Sequence, residues 1–272
     1  MHSMKRHSVR VMFRLLGFGL IAVVSLIDFV LRIWLSGKAS SVRARADWLQ
    51  RWCRWHLRNL RVRVHREGAM PKHGVLVSNH LSYVDVLVLG AAQPLAFVSK
   101  SEVRSWPLIG WLTRCGGTLF IDREKRSDVT RVGTQFAPVI AEGLVIALFP
   151  EGTSTDGHTV LPFRASLFAP ATEYGWPVVA AWIGYSLADG SVEEEVCYWG
   201  DMTFGPHFLN LLSKEQIQAR VVYSPPISPG RDRKELARLL QGRVWELAEL
   251  SGRRLQRLDD NKKSPVDERL SG

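Results

Sequence analysis

In SNHLSYVDVL, residues 78–87, a histidine stands five residues before an aspartate, directly after the short apolar run GVLV. If His80 ends a strand and Asp85 sits in the first turns of the next helix, the carboxylate reaches the imidazole ring. Ser82 between them suits a helix N-cap. Asp85 would then accept from Nδ1–H, fix the tautomer and leave Nε2 free as a base, while stabilising the imidazolium that forms. No GxSxG nucleophile elbow occurs in the chain, so no serine nucleophile of that kind accompanies the pair. A histidine–aspartate dyad without a protein nucleophile points to direct activation of a substrate hydroxyl. Taken alone, the same pair also fits a purely structural hydrogen bond.

A second stretch, FPEGTSTDG at 149–157, follows another apolar run, LVIALF. Pro150 and Gly152 enforce a tight turn there. Its successive N–H groups and the hydroxyls of Thr153, Ser154 and Thr155 could line an oxyanion or a phosphate. Glu151 could orient either an acceptor or a backbone amide. The GxxxxGK[ST] spacing of a P-loop is missing. Without further support this remains an ordinary polar turn after a buried strand.

The elements that must carry these residues alternate in type. Strands are expected at 62–67, 74–79, 95–100, 117–123, 144–149, 177–185, 194–199 and 219–225. Helices are expected near 83–91, 105–113, 125–141, 165–174 and 231–251. Such alternation implies an α/β fold with a mixed, largely parallel central sheet flanked by helices, and continuously apolar strands suit its buried centre. Ligand sites in such sheets collect beyond the carboxyl ends of the strands. Three strands would bring polar residues to one edge: VLVSNH delivers His80, GTLFIDR delivers Asp122 and Arg123, and LVIALF runs into Glu151.

At 272 residues, with 46% hydrophobic and 23% charged residues, the chain has ordinary globular composition. We divide it into an N-terminal membrane-associated helical region (1–60), an α/β domain (61–252) and a polar tail expected to be disordered (253–272). Cys53, Cys115 and Cys197 are scattered, with neither metal-ligand nor disulfide spacing. The charge of +10 is uneven: residues 1–72 hold 15 Lys/Arg against 3 Asp/Glu, whereas the rest is net −2. The basic excess surrounds an apolar segment, Leu15 to Ile27. That run alone is short for a span of roughly 20 residues, and extending it takes in Asp28 and Arg32. A helix dipping into one leaflet fits as well as a span. Trp48, Trp52 and Trp55 then recur at i, i+4, i+7 among arginines, the composition of a helix lying in an anionic membrane interface. No nucleic-acid-binding motif accompanies the charge.

Together the motifs resemble the glycerolipid acyltransferases, the lysophosphatidic acid acyltransferase group. NHLSYVD is similar to their His-x-x-x-x-Asp motif, GTLFIDR to the second, FPEGT to the third and PVVAAWIGY to the fourth. KSEVRSWPLIG resembles the segment between the first two. The likeness runs over roughly residues 60–225, with order and spacing kept. It implies transfer of an acyl group from a thioester, acyl-CoA or acyl-carrier protein, to the free hydroxyl of a lysolipid. His80 would be the base and Asp85 its partner. Lys100, Arg123, Glu151, Gly152, Thr153 and Ser154 would contact the acceptor head group. The resemblance implies no metal and no redox cofactor, and places the protein on a membrane, at the cytoplasmic face of a bacterial inner membrane. Its leading acceptor is 1-acyl-sn-glycerol 3-phosphate. The alternatives are lyso-ornithine lipid or lysophosphatidylcholine, and further off a thioesterase or lipid hydrolase. One departure bears on that choice: Ser154 stands where the third motif usually has arginine, and a neutral hydroxyl cannot grip a phosphate bidentately. VCYWGDMTFGPHF, 196–208, resembles a segment of the bacterial lyso-ornithine lipid enzymes.

Overall fold

Val75, Leu76 and Val77 are all buried but belong to two different cores. Successive side chains of a strand leave opposite faces, so an unbroken apolar run requires cover on both. A computed structural model describes residues 2–105, 109–121 and 126–256. Among the described residues seven strands form one sheet: β1 (Val62–Glu67), β2 (Gly74–Ser78), β3 (Leu95–Lys100), β4 (Leu119–Ile121), β5 (Val145–Leu148), β6 (Val178–Leu187) and β7 (Ile217–Tyr223). Their order is β1-β7-β6-β2-β5-β3-β4. The five strands from β6 to β4 are mutually parallel; β7 runs antiparallel to β6 and parallel to β1. The largely parallel α/β sheet expected from the alternation is the one observed.

Helices cover both faces. Leu76, Ala147 and Ile183 point toward α2 (Val42–Leu60), α3 (Val84–Ala92) and α8 (Phe204–Ser213). Val75, Ile146 and Trp182 point toward α5 (Arg126–Ala141), α6 (Ala169–Tyr174) and α9 (Arg233–Leu250). α2 and α3 approach so closely that a Cβ on Gly90 would lie 2.7 Å from Cys53 Sγ. The remaining helices are α1 (His2–Phe29), α4 (Ile109–Cys115) and the short α7 (Val192–Glu195).

Two expectations are corrected. EEVCYW, 194–199, is no strand. Ser191 caps α7 by accepting from Glu194 N–H, and Glu193, Glu194 and Glu195 favour the positive end of a helix dipole. The chain then crosses as a loop, with Tyr198 N–H donating to Leu81 C=O at 2.8 Å. The tryptophan-rich helix is no free interfacial helix either. Trp48 is 1% exposed, with its indole N–H on Ser25 C=O, and Leu49, Cys53 and Leu57 join the core beneath it.

The apolar face instead belongs to α1. Residues 8–34 make a helix long and apolar enough to cross a bilayer, the last turn being π-helical from Val30 to Trp34. Phe13, Leu16 and Leu20 are 63–65% exposed, and with Val23, Ile27 and Leu31 they recur at helical spacing on one face. The opposite face is anchored. Arg14, only 6% exposed, donates to the carbonyls of Leu212, in the last turn of α8, and of Lys214 and Glu215 just beyond it, and Arg10 donates to Ser213 C=O. Cations at a helix C-terminus satisfy its orphan carbonyls. Asp28 pairs with Arg32 at 2.7 Å and Arg51 at 2.8 Å. Residues 253–256 lie along the domain, Gln256 N–H donating to His158 C=O at 2.7 Å.

Candidate active site

The spacing of five between His80 and Asp85 has a local cause. β2 ends at Ser78, and α3 begins at Val84. Ser82 Oγ accepts weakly from Val84 N–H, at 3.4 Å, at the start of α3. Asp85, in the first turn, reaches back to accept from Leu81 N–H at 2.7 Å and Ser82 N–H at 2.9 Å. Only the acidic half of a capping box is made: the N-cap of α3 is Tyr83, without a side-chain cap, rather than the expected Ser82, and Asp85 N–H donates to Ser82 C=O at 3.0 Å. The same Oδ2 lies 2.8 Å from His80 Nδ1. Asp85 is fully buried, whereas the His80 side chain is 22% exposed. With Nδ1–H donating to the carboxylate, Nε2 carries the lone pair, and it has no partner among the described residues.

The turn after β5 holds His80 by its backbone. Glu151 Oε1 accepts from His80 N–H at 2.8 Å, and Thr155 N–H donates to His80 C=O at 2.9 Å. Gly152, at φ +80°, takes the left-handed conformation this turn needs. The second Glu151 oxygen accepts from Leu161 N–H at 2.8 Å. Burial pushes the Glu151 pKa up to about 8, against the opposing pull of the two amide donors. Phe149 stacks on the imidazole, with centroids 4.1 Å apart and planes at 18°. The two motifs, 71 residues apart at this contact, therefore meet as one unit.

Ser154 donates its hydroxyl to Tyr198 C=O. That contact and the Tyr198–Leu81 backbone bond stitch the segment 196–208 over both motifs. His207 adds a third tie, since its Nε2–H donates to Cys197 C=O at 2.9 Å and Nδ1 then accepts from Tyr83 O–H at 3.0 Å. Burial lowers the His207 pKa, which keeps the ring in this neutral, two-partner role.

The Acyltransferase family model matches residues 61–184. A lyso-ornithine lipid O-acyltransferase of Pseudomonas aeruginosa is 38% identical over 234 residues, 84% of this chain and 86% of that one. The chain belongs to the acyltransferase family. A 1-acyl-sn-glycerol-3-phosphate acyltransferase of Neisseria gonorrhoeae is 36% identical over 118 residues, 42% of this chain and 46% of that one. The fold is shared with the crystal structure of the 1-acyl-sn-glycerophosphate acyltransferase PlsC from Thermotoga maritima. That match has a TM-score of 0.61 at 20% identity and covers 91% of this chain and 98% of that one.

In this acyltransferase the residues singled out from sequence have different fates. His80 and Asp85 meet as expected. Glu151 takes the backbone-amide role of its two possible ones: at 3% exposure, with both oxygens on amides, it lies inside the turn. Gly152 shapes that turn, and Thr153 is exposed beside it. Ser154 is directed at Tyr198. Lys100 is exposed at the carboxyl end of β3, where it pairs in register with Ile121 of β4. It therefore shares the strand edge with His80. Arg123 lies outside the described residues.

Sequence reading missed Asn79, Phe149 and Tyr185. Asn79 Oδ1 accepts from Ile183 N–H at 2.8 Å and its Nδ2 donates to Ile183 C=O at 2.9 Å. The amide thus extends the β2–β6 ladder one step beyond its last strand pair. A buried asparagine directly after an apolar strand was the available signal. Tyr185 O–H donates to Asp85 Oδ1 at 2.5 Å. Its only trace in sequence is a polar tip at the end of an apolar run.

Proposed function

We propose that this O-acyltransferase moves a fatty acyl group from a thioester, carried by coenzyme A or an acyl-carrier protein, to the free hydroxyl of a lysolipid. The observation that carries the reading is the His80–Asp85 pair, whose Nε2 is unpartnered among the described residues. His80 Nε2 removes the hydroxyl proton as the acceptor oxygen attacks the thioester carbonyl. The tetrahedral intermediate collapses by breaking the C–S bond, and the proton on His80 passes to the departing thiolate. Asp85 holds the ring and stabilises the imidazolium in between. No step in this scheme requires a metal or redox cofactor. Lys100 and Arg123, together with the exposed Thr153 at the turn, remain candidate contacts to the acceptor head group.

For the acceptor, Ser154 decides our choice. A hydroxyl already donating to Tyr198 C=O is not available to a phosphate monoester. The similarity to the Pseudomonas lyso-ornithine lipid enzyme also runs over 84% of the chain, against 42% for the Neisseria enzyme. We therefore rank an amino-acid lysolipid such as lyso-ornithine lipid first. The second reading, 1-acyl-sn-glycerol 3-phosphate, rests on the shared motifs and that shorter similarity. The exposed apolar face of α1, with the basic residues around it, would dock the enzyme on an anionic bilayer where such lipids reside, on the cytoplasmic side of the inner membrane.

The test is purified enzyme with one labelled acyl donor and three acceptors: lyso-ornithine lipid, 1-acyl-sn-glycerol 3-phosphate and lysophosphatidylcholine. Acylation of lyso-ornithine lipid at least tenfold faster than the others supports the first reading. Preference for the phosphate acceptor reverses the ranking. Label released as free fatty acid whatever the acceptor makes the protein a thioesterase instead.

A further inference from the structure

We infer that Tyr185 is a third, positioning member of the His80–Asp85 pair. This rests on the reading of His80 as general base. Asp85 is 0% exposed, so each carboxylate oxygen needs donors from the protein. Its Oδ2 is crowded: His80 Nδ1, Leu81 N–H and Ser82 N–H all converge on it at 2.7–2.9 Å. Its Oδ1 has one partner among the described residues, the Tyr185 hydroxyl, at 2.5 Å.

That asymmetry gives the phenol a specific task. The carboxylate torsion of aspartate is broad, and the two backbone amides lie on the same oxygen as the histidine. Only a donor on the far oxygen fixes the plane of the group and keeps Oδ2 in line with Nδ1–H. A charge-assisted O–H···O bond of this length is also among the stronger hydrogen bonds a protein makes. It compensates the charge of a fully buried carboxylate.

The backbone around Tyr185 is built to hold that position. β6 pairs with β2 from Val75↔Val178 to Ser78↔Ala181, and Asn79 then clamps Ile183 by both its amide and carbonyl. Tyr185 follows two residues later, on the same face as Ile183. On its other side it pairs with Ala219 of β7. The hydroxyl thus arrives at Asp85 from a strand locked on both edges, 100 residues away in sequence. The fourth motif run, PVVAAWIGY, therefore ends on a residue that acts on the dyad through Asp85, without touching substrate.

The experiment is Tyr185→Phe, which keeps the ring and deletes the donor, assayed in the wild-type and Asp85→Asn backgrounds. We expect kcat to fall about tenfold in the wild-type background, with KM for donor and acceptor within twofold. In the Asp85→Asn background the same change should alter single-turnover rates less than twofold, because the group it acts through is gone. An unchanged kcat, an equal loss in both backgrounds, or a KM rise at constant kcat would each overturn the assignment. If Tyr185→Phe melts below the assay temperature, 3,5-difluorotyrosine at 185 replaces it. That stronger donor must change kcat at fixed KM, and an unchanged kcat overturns the proposal. His80→Ala as a parallel arm separates the two levels. Activity without His80 defeats the base reading, whereas an inactive His80→Ala beside a fully active Tyr185→Phe defeats only this inference.

Discussion

The edge around His80 and the contact between α1 and α2 treat buried polar groups in opposite ways. At the edge, the buried carboxyl groups of Asp85 and Glu151 have hydrogen-bond partners on both oxygens, and the buried amide of Asn79 closes on one backbone unit. Between α1 and α2, Ser25 Oγ, Trp52 Nε1 and both ring nitrogens of His56 are buried with no hydrogen-bond partner among the described residues. His56 is wedged against Phe18 at 4.2 Å and Trp52 at 4.5 Å between centroids. Each orphan costs about 1–3 kcal/mol. The difference teaches where orientation matters: at the strand edge each buried carboxyl oxygen has a donor, while the α1–α2 seam is held by packing and a few ties such as Trp48 N–H on Ser25 C=O and the Arg51–Asp28 pair.

The largest effect should come from breaking the satisfied region at its one free atom. His80→Ala is expected to lower kcat by about 10²–10⁴, the range for a positioned general base, with the melting temperature nearly unchanged. Activity within threefold of wild type would show that the pair is structural. Next comes the outer face of α1. Leu16→Asp together with Leu20→Asp should lower partitioning onto anionic vesicles at least about a hundredfold, since each buried leucine contributes about 1.5–3 kcal/mol. Turnover of a short-chain soluble acceptor should stay within twofold. Undiminished vesicle binding would move the docking surface elsewhere. Deleting residues 1–58 is not a clean version of this test, because it removes the buried Trp48, Cys53 and Leu57.

Arg14→Ala sharpens the same contrast from the anchored side. It leaves three carbonyls at the C-terminal end of α8 without their donor and should destabilise the fold by about 1–3 kcal/mol, read from chemical denaturation. A loss below about 0.5 kcal/mol would mean that water replaces the guanidinium at no cost. The smallest effect has an unusual sign. His56→Leu deletes two orphaned nitrogens and should stabilise by about 1–2 kcal/mol. Burial lowers the His56 pKa from 6.5 to about 4. The unfolded chain then binds the proton first, so wild-type stability declines as pH falls from 6.5 toward 4. The advantage of His56→Leu should therefore widen over that window in melting curves, and a constant gap between the two proteins would contradict it.

Much of this arrangement is legible in sequence where causes are local. The apolar runs around Val75–Val77 and Val145–Leu148 read as buried strands because their continuity has no other use. EEVCYW misled because a short β-branched and aromatic run resembles a strand, whereas Ser191 and three consecutive glutamates decide for a capped turn of helix. The tryptophan-rich helix misled for a related reason. Periodicity reports that one face is apolar but not what covers it, and here α1 and α3 do.

The sequence alone determined the histidine–aspartate pair, because a strand end followed within a few residues by an acidic residue in the first helical turn brings the carboxylate back to the ring. It also determined the sheet's polar edge, since parallel strands end on the same side. Only the tertiary structure decided the partner of Asp85 Oδ1, the bond from Ser154 to Tyr198 and the burial of Trp48. Each is a contact between segments distant in the chain, and such contacts depend on which strands and helices become neighbours, a property no short window of residues contains.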